Sequence, residues 1–167
     1  MLAHVNVYLK YLYPIMPIIR PEEVLNDSHE PEQLTPQRYA FMTALCAATH
    51  VQLKLDGTDG PMDTPLISPM DGRSSMSGDE LLLEAANARR HCNISENVNI
   101  ESLLTSFFLF AAYGNLDRQD QAWFYLSQST SMAHTLALHR ESTYSELDPV
   151  EAEERRRVFW LLFVTER

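Results

Sequence analysis

The residues able to do chemistry are few, and their spacing suits none of the common reactions. His134 and His139 stand five apart, where two ligands on one helical face need three or four. His91 adjoins Cys92, which sends the two side chains to different sides of a helix, so a shared ion would have to draw its other ligands from elsewhere. Ser74, Ser75 and Ser77 cluster without the Gly-x-Ser-x-Gly elbow that presents a nucleophile. No His-Glu-x-x-His occurs, and the glycine-rich stretch that follows Leu55 lacks the Gly-Lys-Ser/Thr of a phosphate loop. Two cysteines, Cys46 and Cys92, are too few for a disulfide framework or a cysteine-based zinc site, so buried reduced thiols are expected. No catalytic, cofactor-binding or metal residue emerges, and the chain does not read as an enzyme.

Charge excludes a further class. Thirteen Lys and Arg against 23 Asp and Glu leave a formal −10, whereas a module that grips nucleic acid by its phosphates needs a basic face. The run Arg155, Arg156, Arg157 does not supply one, because Glu151, Glu153 and Glu154 precede it on the same helix and cancel much of its field. Glu151 with Arg155 and Glu153 with Arg157 are instead i, i+4 pairs. Trp123, Phe124, Trp160 and Phe163 have two readings, a small-molecule pocket between helices or ordinary core packing.

These side chains must be positioned by helices, since 45% of the 167 residues are hydrophobic and their spacing is helical nearly throughout. Val5, Tyr8, Leu9 and Leu12 form one face of a first helix that Pro14 ends, and residues 13–19 then run extended against the core before a short helical turn over 21–25. Thr35 caps a second long helix with Pro36 at its first position and Phe41, Ala44, Leu45, Ala48, Val51 and Leu55 buried. Ser77 and Glu80 form a capping box, and Leu81, Leu82, Ala85, Ala88 and Cys92 face inward behind it. Asn99 caps the helix that carries Ile100, Leu103, Leu104, Phe107 and Phe108, with Gly114 as its left-handed end. Asp117 caps the next, with Trp123, Leu126, Ala133, Leu136 and Ala137 inward. Asp148, Pro149 and Glu151 combine cap, first-turn proline and capping-box glutamate ahead of a last helix ending in Phe159, Trp160, Leu161, Leu162 and Phe163. The expected fold is all-α: an irregular multi-helix domain with a disordered loop near 56–78, where four of the five glycines fall.

The first 13 residues lack the apolar core of a signal peptide, and the longest apolar run, 107–113, is far below the roughly 20 residues that span a bilayer, so no membrane is expected as a partner. The sequons at Asn26 and Asn93 are expected to be chance matches. No glycine, asparagine or proline stops the last helix before Arg167, which suggests the N-terminal part of a larger helical domain.

The order of motifs from Gly114 onward carries a family likeness. Gly114-Asn115-Leu116-Asp117-Arg118 is followed by Ala122-Trp123, by Met132-Ala133, and by Leu136-Ala137-Leu138-His139-Arg140. Leu147, Glu151, the Glu/Arg-rich helix, Phe159-Trp160 and Phe163-Val164-Thr165-Glu166-Arg167 complete it. The chain resembles the regulatory "middle homology" domain of fungal-specific transcription factors. Tyr11 to Pro17 is similar to that domain's opening, and residues 43–49 to its first long helix. Ser127 and Ala137 stand where the family commonly has Gly, Ser131 where it often has Arg, and Glu166 where Asp is frequent. The ending 162–167 is similar to regulators of the maltose and amylase utilisation type.

The resemblance implies that residues 1–167 are part of such a domain, with 56–78 an inserted loop, in a nuclear regulator of RNA polymerase II genes. It implies that DNA is read by a separate N-terminal zinc cluster of six cysteines, which this chain lacks, so the chain itself needs no cofactor. A co-regulator protein or a small metabolite effector is the implied partner, with homodimerisation in the full-length protein. One rival comes from the residues themselves: Gly114, Leu116, Ala122 and Tyr125 echo a tetratricopeptide unit, which would make a helical-repeat scaffold, although no second copy follows at the 34-residue period.

Overall fold

A computed structural model describes residues 1–54, 76–93, 96 and 98–167. Among them the regular elements are all helical: α1 (Leu2–Tyr11), α2 (Pro21–His29), α3 (Pro36–Gln52), α4 (Gly78–Arg90), α5 (Ile100–Asn115), α6 (Gln119–Thr135) and α7 (Pro149–Thr165), with single 3-10 turns at Pro31–Gln33 and Glu141–Tyr144. The all-α expectation is met. Most of the loop expected at 56–78, together with Leu55, Ser74 and Ser75, lies outside the described residues, but its last two are ordered: Ser77 is an N-cap and Gly78 opens α4.

α3 is the axle of the fold. Every residue from Ala40 to Val51 is buried, so the helix is covered all round by α1, α4 and α5 rather than showing one wet face. Ala40, Ala44, Ala47 and Ala48 keep its surface thin, which lets neighbouring helices approach closely. Thr43 and Thr49 satisfy their hydroxyls on the carbonyls of Tyr39 (2.9 Å) and Leu45 (2.8 Å), so neither is left unpaired in the core. Phe41 and Tyr8 meet Phe108 of α5 at ring distances of 6.1 and 5.9 Å, and this aromatic knot joins three helices.

Four helix starts follow their capping residues. Thr35, Ser77, Asn99 and Asp148 each accept from a first-turn amide, and Ser77 and Glu80 close the reciprocal box. Glu151 departs from the expected box at α7, since its carboxylate receives Arg155 Nη2 at 2.6 Å. α1 stops at Tyr11 as Pro14 requires, but residues 12–15 form a turn before the chain straightens, and α2 runs on to His29 instead of ending at Leu25.

Two helix ends differ from expectation. Gly114 lies inside α5, and the left-handed residue is Asp117 (φ 58°). The amides of Asp117 and Arg118 reach back to the carbonyls of Gly114 (3.2 Å) and Tyr113 (3.0 Å), the paired bonds of a Schellman end. A short polar side chain tolerates that conformation, so Asp117 finishes α5, and α6 starts from Arg118 without a side-chain cap. α6 ends in the same way on Ala137 (φ 52°), with Ala137 and Leu138 donating to His134 and Ala133, both at 3.0 Å. Ala137 carries the strain that glycine would avoid.

The inward stripe of α6 is Ala122, Leu126, Ser129, Met132 and Ala133: Leu126 and Ala133 face inward as expected, and Ala122 takes the place expected of Trp123. Trp123 therefore faces away and is 59% exposed, not buried. Cys92 falls beyond α4 and is half-buried, while the residue that the end of α4 does bury is Arg89.

Candidate functional site

The described residues that could have made a reactive centre are spread apart. Ser77 serves as an N-cap. His91 and Cys92 lie together in a surface depression beyond α4 with Asn93 and Glu96. His134 and His139 do come together, with ring centroids 5.2 Å apart, because the left-handed turn at Ala137 folds the chain back; helical spacing could not foresee that. His139 Nε2 accepts from Arg140 Nε at 3.3 Å. No group of three or more His, Cys, Asp or Glu among the described residues could hold a metal ion. Cys46 is buried in α3, and burial pushes its thiol up to about 12, the opposite of what a thiolate ligand requires. These residues do not fit a zinc cluster.

Four aromatic residues that could have lined a pocket or packed in the core are instead open to solvent. Trp123, Phe124, Trp160 and Phe163 are 59, 63, 58 and 39% exposed, so both readings of them fail. Trp160 and Phe163 pack edge to face on the outer side of α7, at 5.5 Å, while Ala152, Val158 and Leu162 turn inward.

A cleft of about 280 Å³ opens where the 17–20 strap, α2, α3, the start of α5 and α7 meet. Ile18, Ile19, Val24, Phe41, Ile100, Leu104 and Val158 give it apolar walls, and Arg20, Glu23, Arg38, Glu101, Glu151, Glu154 and Arg155 ring it. Arg20 and Arg38 are held in part by carboxylates from other elements, and Arg155 by one on its own helix. Arg20 Nε donates to both oxygens of Glu154 at 2.8 Å, and its Nη1 to Glu23 at 2.9 Å. These bonds, that to Glu154 foremost, raise the Arg20 pKa and keep it charged. Arg38 reaches Asp27 at 2.6 Å, Glu101 at 3.0 Å and Glu23 at 3.5 Å, and lies over the Phe41 ring at 5.0 Å. Arg155 pairs with Glu151, and its buried Nε–H has no acceptor.

The two expected pairs of α7 are present, Glu151 with Arg155 at 2.6 Å and Glu153 with Arg157 at 3.1 Å. The long-range partners were not legible in sequence: Arg156 pairs with Glu141 and Glu154 with Arg20. A second, wider groove of about 780 Å³ shares Arg20 and Glu154 with the first and is walled by Tyr13, Pro21, Pro149 and Val150. α7 is thus flanked by space on the side where it meets the strap, and Arg157 Nη1 also reaches the carbonyl of Pro17 at 3.4 Å.

α5 and α6 do form a local pair resembling one tetratricopeptide unit, with Tyr113 stacked on Tyr125 at 5.4 Å and a three-residue connection. Among the described residues, no helix is long and apolar enough to cross a membrane.

Comparison with known proteins gives this geometry a context. Residues 5–167 match the family model "Fungal specific transcription factor domain". The chain is 32% identical over 129 residues, 77% of its length, to the probable sucrose utilization protein SUC1 of Candida albicans. It is 22% identical over 166 residues, 99% of its length, to the maltose fermentation regulatory protein MAL13 of Saccharomyces cerevisiae. A 45-residue stretch is 42% identical to the aurofusarin cluster transcription factor aurR2 of Gibberella zeae. The aligned spans are 24% of the sucrose protein and 32% of the maltose protein, so the chain corresponds to a minor part of each. No solved structure matches.

Proposed function

The chain belongs to the fungal specific transcription factor domain family, and from that premise we propose that it is the regulatory part of a nuclear activator or repressor of RNA polymerase II genes for sugar use. The family is a transcription-factor domain and not an enzyme family. The observation that carries the reading is the match over 5–167, nearly the whole chain, joined to sucrose and maltose in the names of two relatives. The same match favours this reading over a tetratricopeptide scaffold, whose likeness stops at α5 and α6.

DNA is engaged by a separate module of the whole protein, a six-cysteine zinc cluster, and this span uses no cofactor of its own. Its −10 charge supports that division, since phosphate contacts call for surplus cations. The domain acts by shifting between two packings of its helices, biased by a metabolite or a co-regulator and read out as transcription. α7 is the element best suited to move, being tied to the strap by one ion pair and one hydrogen bond beside open space. Homodimerisation belongs to the whole protein.

A tethered reporter tests this. With the chain inserted between a heterologous DNA-binding module and an activation segment, output should change severalfold relative to the same fusion without it. Unchanged output would remove the regulatory reading. Fluorescence anisotropy on duplex DNA should show no salt-sensitive binding by the chain alone.

A further inference from the structure

We propose that the cleft between the strap, α2, α5 and α7 is an effector site, and that its ligand is a small uncharged polyol, a sugar of one or two rings. The proposal rests on the regulatory reading and adds to it a place and a ligand chemistry. The cleft's size, about 280 Å³, falls just below the roughly 300–1,000 Å³ typical of small-ligand pockets, which suits a small ligand.

Its charges narrow the ligand. Three arginines face four glutamates, and Asp27 sits behind Arg38 as a fifth carboxylate. An anion entering would meet cations already paired and a surplus of negative charge, so phosphorylated or carboxylated ligands are disfavoured. A purely apolar ligand would cover paired ions without replacing their water, at a cost in desolvation. Vicinal hydroxyls meet neither objection, because each donates to a carboxylate and accepts from a guanidinium at once. Arg155 lines the cleft with an Nε–H that is buried and has no acceptor, so a turn of its side chain toward a ligand hydroxyl gains a hydrogen bond and gives one up nowhere at that atom. Ile100 and Val158 supply the apolar wall on which the C–H face of a sugar ring rests.

The site is also placed to transmit a signal. Glu154 and Arg155 belong to α7, while Arg20 and Glu23 belong to the strap and α2, so a ligand bridging them alters how α7 is held. A ligand favouring one arrangement shifts the equilibrium by its difference in affinity for the two.

Titration calorimetry on the 167-residue chain, with amide shift mapping by NMR, tests the proposal. Maltose or sucrose should bind with a Kd of about 1 mM or tighter, and glucose 6-phosphate at least about tenfold more weakly. The amides that move should be those of Ile19, Ile100 and Val158, with α6 unaffected. Ile100→Phe, which fills the cleft, and Glu154→Gln should each weaken binding about tenfold or more with the helical circular dichroism intact. If Ile100→Phe fails to fold, the shift map and Glu154→Gln carry the test. Absence of binding by glucose, maltose and sucrose, tighter binding of the phosphate ester, or shifts confined to another surface would each overturn it. Failure here with a responsive reporter would remove the site and leave the regulatory function standing; binding with a silent reporter would do the reverse.

Discussion

Arg20 and Glu154 are 134 residues apart in sequence, yet Arg20 Nε lies 2.8 Å from each oxygen of the Glu154 carboxylate. This bond ties the strap before α2 to the first half of α7 and lines both open spaces beside that helix. Arg20 is two-fifths exposed and Glu154 one-fifth, so water screens the pair. A double-mutant cycle with Arg20→Ala and Glu154→Gln should give a coupling of about 0.5–1 kcal/mol in urea unfolding, a clasp weak enough to release. A coupling of several kcal/mol would mark a rigid structural bridge instead.

Ala137 holds a left-handed backbone, φ 52°, at the end of α6. Ala137→Gly should stabilise the chain by about 1 kcal/mol, because glycine adopts that conformation without a steric penalty, whereas Ala137→Val should destabilise it further. Denaturant midpoints at constant slope measure both.

Gly114 predicts the opposite sign for glycine. It lies inside α5, and a Cβ there would sit 3.9 Å from the Cβ of Ala122, an ordinary contact. Gly114→Ala should therefore stabilise by about 0.5–1 kcal/mol through helix propensity. A loss of stability would show that α5 and α6 pack more tightly than this distance allows.

Arg89 is a buried cation held by neutral groups. Its Nη2 donates to Ser106 Oγ at 2.7 Å and to Gln128 Oε1, and it lies over the Tyr125 ring at 5.7 Å, while desolvation lowers its pKa. Gln128→Leu should cost about 1–3 kcal/mol by stripping an acceptor from that charge, and adding Arg89→Met should recover part of the loss. Strictly additive effects in the cycle would contradict this.

Alkaline pH should loosen the core. Burial raises the Cys46 thiol from its ordinary 9 to about 12 and also raises Tyr8, Tyr39, Tyr113 and Tyr144. These groups stay protonated in the fold while the unfolded chain ionises, so stability is full below pH 9 and falls as pH climbs toward 12. Urea midpoints against pH follow it, and an iodoacetamide trap at pH 8 should label half-buried Cys92 before Cys46. Equal labelling of the two in the native state would contradict the burial of α3.

Much of the fold was legible because caps and apolar spacing are local. Thr35, Ser77, Asn99 and Asp148 each start a helix as their side chains dictate. The misplaced ends have one cause: a Schellman turn is set by backbone geometry, and Asp117 and Ala137 adopt it without the glycine that advertises it. The bulk and apolarity of Trp123 point it inward, yet the small Ala122 beside it makes the contact. The cleft was invisible in sequence, since Arg20, Arg38, Glu101 and Glu154 come from four separate stretches and their neighbours in the chain are unremarkable. Local reading found the intrahelical pairs of α7 and could not find Arg20–Glu154.

The most direct measurement of the account is reporter output from the DNA-tethered chain, taken with and without maltose or sucrose, for the natural sequence and for Ile100→Phe. A severalfold sugar-dependent change in the natural chain that Ile100→Phe abolishes is the predicted result. Output that is the same with and without sugar, and the same whether or not the chain is present, would contradict it.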